Sequence, residues 1–252
     1  MLKAILFDLD NTLLENDMGV HIPSFLELLA PRFAQIIPPE TLKRWILRAV
    51  HQMVVDIDAR STNGEVFRRD LVMRSGYSWR VLGPLFERFY AEDYPSLAPL
   101  TRPIELAPHL VEEALGRGLS VAVATNPIFP AEAMAERLRW ARLDALPFAL
   151  VTSYDEAHFT KPHPEYFAEV AARLGVEPAE CLMAGDDAAN DLPAAAAGMA
   201  TYLVTDHSDR RKKALFEPTQ AGSLNDLYRL VKSPRRLRAL CDAAAGRQPA
   251  RA

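Results

Sequence analysis

The stretch Ala4–Asp10, AILFDLD, constrains the fold more than any other part of the chain. An uninterrupted apolar run, Ala4 to Phe7, ends on two carboxylates one residue apart, Asp8 and Asp10, and Thr12 adds a hydroxyl. A run this short reads as a strand buried on both faces, which belongs in a parallel sheet. Its carboxyl end carries Asp8 and Asp10 to the sheet edge where open α/β folds bind ligands. Unpaired carboxylates cannot stay in an apolar core, because lone buried charge costs several kcal/mol. Two like charges this close also repel unless a cation lies between them. The pair therefore calls for a metal or a cationic partner. The alternative is that Asp10-Asn11-Thr12 is turn chemistry with solvated aspartates.

The rest of the chain decides how such a strand is used. Residues 15–20 read as a polar linker, and from there to about Leu97 the pattern is helical. Pro23 opens one apolar-periodic stretch, which Pro31 kinks or ends. Pro38-Pro39-Glu40 starts a longer helix with Leu42, Ile46, Ala49, Val50 and Met53 on one face. Val66, Phe67 and Leu71 mark a third, closed at Gly76. Ser78 is the N-cap of a fourth, lined by Trp79, Leu82, Phe86 and Phe89, with a kink or division expected at Gly83-Pro84. Its aromatic stripe reads as core. Arg68 and Arg69 read as an exposed basic face or as phosphate contacts. The proline-rich stretch 94–103 is the expected return linker.

From Ile104 onward, helix and strand alternate. Strands are expected over 119–124, 148–151, 181–184 and 199–204, with helices between them and a last helix capped by Ser223. This alternation predicts a doubly wound, parallel α/β sheet. The expected organisation is a core of residues 1–15 and 99–232, an inserted helical block of 16–98, and a basic, Ala-rich tail of 233–252, with its last ten residues disordered.

Each strand end carries a polar cluster. Asp8 and Asp10 follow the first strand, and Thr125 and Asn126 the second. Lys161 opens a helix after the third, and Asp186, Asp187 and Asp191 follow the fourth. Parallel strands bring these ends to one edge, so clusters distant in sequence converge in space. The set is carboxylates, a hydroxyl and one ammonium. Oxygen donors without sulfur or imidazole favour a hard cation, Mg²⁺, which is held by one or two carboxylates plus a phosphate. The fitting chemistry is phosphoryl transfer with a carboxylate nucleophile.

These residues resemble the motifs of the haloacid dehalogenase superfamily of hydrolases. Asp8-Leu9-Asp10-Asn11-Thr12 resembles the first motif, Thr125-Asn126 the second, Lys161-Pro162 with Pro164 and Phe167 the third, and Gly185-Asp186 with Asp191, Ala195 and Gly198 the fourth. The likeness covers residues 1 to about 205, and the block 16–98 is similar to the family's helical cap inserted into a Rossmann-like core. The resemblance implies that Asp8 is the nucleophile and Asp10 the acid and base. It implies that Asp8, Asp186 and the backbone carbonyl of Asp10 hold Mg²⁺. Thr125 and the Asn126 backbone would bind the phosphoryl oxygens, and Lys161 would balance the charge. Asp191 would hold Lys161 or a metal-bound water, while Asp187 is either a supporting group or a loop carboxylate. Pro127 departs from the small residue common after the second motif. His158 stands where the family often has glycine, and reads as a surface histidine or a substrate contact.

The implied activity is a Mg²⁺-dependent phosphatase on a small phosphorylated metabolite. Phosphomutase activity keeps the same residues, whereas the family's dehalogenases lack the second aspartate. A phospho-accepting regulatory or scaffold protein is the non-enzyme alternative. A net charge of −4 gives no whole-chain pull toward nucleic acid or an acidic membrane. The apolar run before Asp8 is too short for a signal peptide, and no stretch is long enough to span a bilayer. Two cysteines, Cys181 and Cys241, build no disulfide framework or zinc site and fit the reducing cytoplasm.

Overall fold

A computed structural model describes residues 1–208 and 214–246. Its centre is the predicted strand, β1 (Ala4–Phe7), fully buried. β4 (Ser120–Val123) lies parallel to it on one side and β6 (Cys181–Gly185) on the other, with Phe7 opposite both Val123 and Ala184. β5 (Leu150–Val151), β7 (Ala200–Val204) and β8 (Gln220–Gly222) complete a six-stranded parallel sheet of order β5-β4-β1-β6-β7-β8.

Alternation along β1 supplies two cores. Ile5 and Phe7 face helices α5 (Leu106–Gly116), α6 (Ala131–Trp140), α8 (Leu224–Val231) and α9 (Pro234–Ala245). Ala4 and Leu6 face α7 (Pro164–Arg173) and the short 3-10 turn Leu192–Ala195. Helices on both faces satisfy the burial that a continuously apolar strand demands. The fold is the expected doubly wound α/β architecture.

Helices α1 (Met18–Phe33), α2 (Pro39–Val55), α3 (Asn63–Ser75) and α4 (Trp79–Arg88) follow β1 in the chain. They join the sheet through a feature the pattern did not reveal. The supposed linkers contain β2 (Leu14–Asn16) and β3 (Thr101–Pro103), paired antiparallel. Three-residue strands are too short to leave a period, and only their pairing defines them.

The proline expectations need correction. α1 begins at Met18, where the Asp17 side chain accepts from the Gly19 N–H, and it continues through Pro23 and Pro31. α4 is not divided at Gly83-Pro84; the irregularity comes later, as a π-helical turn over Phe89–Asp93. Residues 94–100 form a 3-10 helix. At the other end, Ser223 caps α8 in a reciprocal capping box with Asp226. α8 is followed by α9, which buries Leu237 and Leu240. Residues 247–252 of the expected disordered tail lie outside the described residues. No helix among the described residues is long and apolar enough to cross a membrane.

Candidate active site

The register of β1 aims its carboxyl end at the site. The Asp8 N–H donates to Ala184 O at 2.9 Å, extending the ladder one residue, and the chain then turns back. Asn11 makes that turn with φ of 57°, a left-handed conformation that asparagine tolerates better than most residues. The N–H groups of Leu13 and Leu14 donate to Leu9 O, both at 2.9 Å, and close the turn. Thr12 is fully buried in it, and its hydroxyl has no hydrogen-bond partner among the described residues.

The predicted clusters line one cleft of about 970 Å³, which includes Asp8, Asp10, Thr125, Asn126, Lys161 and Asp186. At its floor Lys161 Nζ, 1% exposed, donates to Asp8 Oδ1 at 2.7 Å and to Asp191 Oδ1 at 2.6 Å. Asp191 is held through its other oxygen by the Asp187 N–H at 2.9 Å. The Asp187 carboxylate closes its own turn, accepting from the N–H of Ala189 at 3.0 Å and the side chain of Asn190 at 2.8 Å. Gly185 makes the approach possible. A Cβ there would lie 2.0 Å from Asp191 Oδ2 and 3.0 Å from the Asp8 Cβ.

The loop after β4 is pinned by its backbone. Thr125 O accepts from the hydroxyls of Thr152, at 2.8 Å, and Tyr166, at 2.7 Å. Asn126 Oδ1 accepts from the Lys161 N–H at 3.2 Å, tying the second cluster to the third.

Charge in this floor is unbalanced. Asp8, Asp186 and Asp191 each offer an oxygen, all within 4.8 Å of one another, against the single ammonium of Lys161. Burial, reinforced by the neighbouring aspartates, pushes the Asp8 carboxyl up to about 7 despite Lys161. Burial and then Asp8 push Asp186 up to about 8. Burial works against the Lys161 ammonium, but Asp191 and Asp8 outweigh it and raise its pKa. Uncompensated carboxylates of this kind fit a divalent cation, and an all-oxygen set fits a hard one. Asp191 is engaged on both oxygens, whereas Asp8 Oδ2 and the Asp186 carboxylate accept no hydrogen bond among the described residues. The Asp10 carboxylate stands outside this group of three.

Asp10 is held differently. Its Oδ1 accepts from Asn16 Nδ2 at 2.8 Å and from the guanidinium of Arg137. Arg137 lies on α6, is 1% exposed, and belongs to none of the strand-end clusters. The available signal was its place in the buried stripe Ala133, Arg137, Ala141, where an apolar residue belongs. His21 fills the wall beside it, fully buried, with Nε2 3.4 Å from the Tyr94 hydroxyl. Burial, and then the charge of Arg137, depress the His21 pKa to about 4, so this imidazole is neutral.

Other singled-out residues lie apart. His158 pairs with Glu169 at 2.7 Å and does not line the cleft. Arg68 stacks over Trp79, and Arg69 faces Asp56 at 3.7 Å; neither lines the cleft.

A buried carboxylate cluster with one ammonium thus stands at the switch edge of this doubly wound sheet. The chain belongs to the haloacid dehalogenase-like hydrolases, whose family model matches residues 2–198. It is 29% identical to the phosphoglycolate phosphatase of Salmonella typhimurium, over 92% of this chain and 94% of that protein. It is 30% identical to the N-acetylmuramic acid 6-phosphate phosphatase of Pseudomonas aeruginosa, over 74% of each. The fold is similar to a haloacid dehalogenase-type phosphatase from Thermococcus onnurineus, with a TM-score of 0.55 at 20% identity, covering 91% of this chain and 98% of that one.

Proposed function

We propose that the protein is a Mg²⁺-dependent phosphatase of a small phosphorylated metabolite, working through a phosphorylated Asp8. The observation that carries this reading is Asp8 itself, buried at the end of β1, with one oxygen on Lys161 and the other free to attack. Curated relatives named as phosphatases support the same reaction class.

Asp8 attacks phosphorus, the bond to the leaving oxygen breaks, and Asp10 gives that oxygen a proton. Water then attacks the aspartyl phosphate and gives a proton to Asp10, breaking the Asp8–phosphorus bond, releasing phosphate and restoring the Asp8 carboxylate and the Asp10 carboxylic acid. Lys161 neutralises charge on the Asp8–phosphate pair, and Thr125 with the Asn126 backbone binds the phosphoryl oxygens. Asp8, Asp186 and the Asp10 carbonyl would hold Mg²⁺, which when bound supplies charge neutralisation for the transferring group. Asp191 positions Lys161, and Asp187 supports Asp191 through its backbone. Residues 16–98 act as the cap that selects the leaving group, over a core of 1–15 and 99–232. Two free cysteines fit a cytoplasmic location.

The test is turnover of a generic aryl phosphate with Mg²⁺, then a screen of metabolite phosphates. Wild type is expected to turn over repeatedly, and Asp8→Asn and Asp10→Asn to lose activity by about 10²-fold or more. Undiminished turnover in Asp8→Asn contradicts the covalent route. Stable phosphorylation without turnover favours the regulatory alternative.

A further inference from the structure

Arg137 is a buried cation with one acidic partner among the described residues, Asp10. Its other neighbours include the neutral His21, an aromatic ring and two thioethers. Its guanidinium carbon is 5.3 Å from the Phe129 ring centre, and the sulfurs of Met134 and Met18 lie 3.9 Å from its Nη1 and Nη2 respectively. Its Nε has no hydrogen-bond partner among the described residues. A buried ion pair of this kind adds little stability over an apolar residue of similar size, because desolvation offsets the attraction. The stripe between Ala133 and Ala141 would pack as well without the charge. What the charge changes is Asp10.

The geometry points to Arg137 as a positioning residue for Asp10. Arg137 and Asn16 both donate to Oδ1, and Oδ2 accepts no hydrogen bond among the described residues. One carboxylate oxygen is thereby anchored from two elements, α6 and β2, and Oδ2 is left to give and take the proton. This rests on the acid and base role of Asp10 proposed above. Arg137 does not line the cleft and touches none of Asp8, Asp186 and Asp191; its charge reaches Asp8 from a distance, and its one ion pair among the described residues is with Asp10.

Two leaving groups separate this role from a merely structural one. Dinitrophenolate departs without a proton, so phosphorylation of Asp8 by dinitrophenyl phosphate does not need Asp10. Hydrolysis of the aspartyl phosphate still does. Arg137→Met is therefore expected to keep the first step within about twofold of wild type and to slow turnover by about 10- to 100-fold. Rapid mixing would show a burst of dinitrophenolate followed by a slow steady state. With an alkyl phosphate both steps need the proton, so kcat/KM falls as well.

In the Asp10→Asn background, Arg137→Met is expected to have no further effect. Should Arg137→Met fail to fold, Arg137→Lys and Asn16→Ala are measured in the same way, and each is expected to show a smaller split of the same sign. A loss shared equally by both steps overturns the assignment, as does unchanged turnover or an additive effect in the Asp10→Asn background. A wild-type enzyme that never carries phosphate on Asp8 fails earlier, and overturns the proposed function together with this inference.

Discussion

Gly185 and His21 show how single residues set the chemistry and the stability of the site. At Gly185 any side chain enters the space of Asp191 and Asp8. Gly185→Ala should therefore displace the partners of Lys161 and reduce kcat by at least about tenfold, while far-ultraviolet circular dichroism stays that of the wild type. His21 makes a prediction about pH. Its folded pKa is about 4 against an ordinary 6.5, so between these values the unfolded chain binds a proton that the folded one refuses. Stability from this group is full above about pH 6.5 and falls as the solution is acidified toward pH 4. Replacing it with phenylalanine removes that dependence. Relative to His21→Phe, wild type should lose about 2 kcal/mol between about pH 7.5 and about pH 5, read from denaturant unfolding at each pH. Parallel curves for the two proteins would show that His21 takes up its proton freely in the fold.

At the scale of elements, the helical block is tied to the core by the start of α3. The Asn63 N–H donates to Ala157 O at 2.8 Å and the Gly64 N–H to Tyr154 O at 2.7 Å. The Asn63 side chain reaches Phe159 O at 3.1 Å and Pro127 O at 3.3 Å. Asn63→Ala leaves both carbonyls short of a donor in a buried joint and should destabilise by about 1–3 kcal/mol, measured by denaturant midpoint. This joint was invisible in the sequence, because its partners are loops with no period. The strands that can be read from the sequence are those with an apolar run of their own, β1, β4, β6 and β7, together with β5, whose expected span 148–151 shortens to Leu150–Val151. β2, β3 and β8 have three residues each and exist only through their neighbours. The site divides the same way. Asp8, Lys161 and Asp186 stand at strand ends or loop starts and could be read from position. Arg137 lies 127 residues from Asp10, and nothing local announces the pairing.

At the scale of the whole molecule, one apolar cluster runs from Ile5 and Phe7 in the sheet through Phe25, Leu29 and Phe86 in the helical block to Leu227 in α8. A shared core of this kind has no plane along which to separate. Chemical denaturation followed by tryptophan fluorescence and by circular dichroism should give one coincident transition; two resolved transitions would mean that block and core fold apart. The same unity places four distant polar clusters around one cleft, and the account depends most on what happens there. Its most direct test is to quench turnover of a phosphate monoester in Mg²⁺, reduce the protein with borohydride, and map its peptides by mass spectrometry. Reduction of an aspartyl phosphate converts the residue to homoserine. Homoserine is expected at position 8 in wild type and absent in Asp8→Asn. Active enzyme that yields unmodified Asp8, or homoserine at another position, would contradict it.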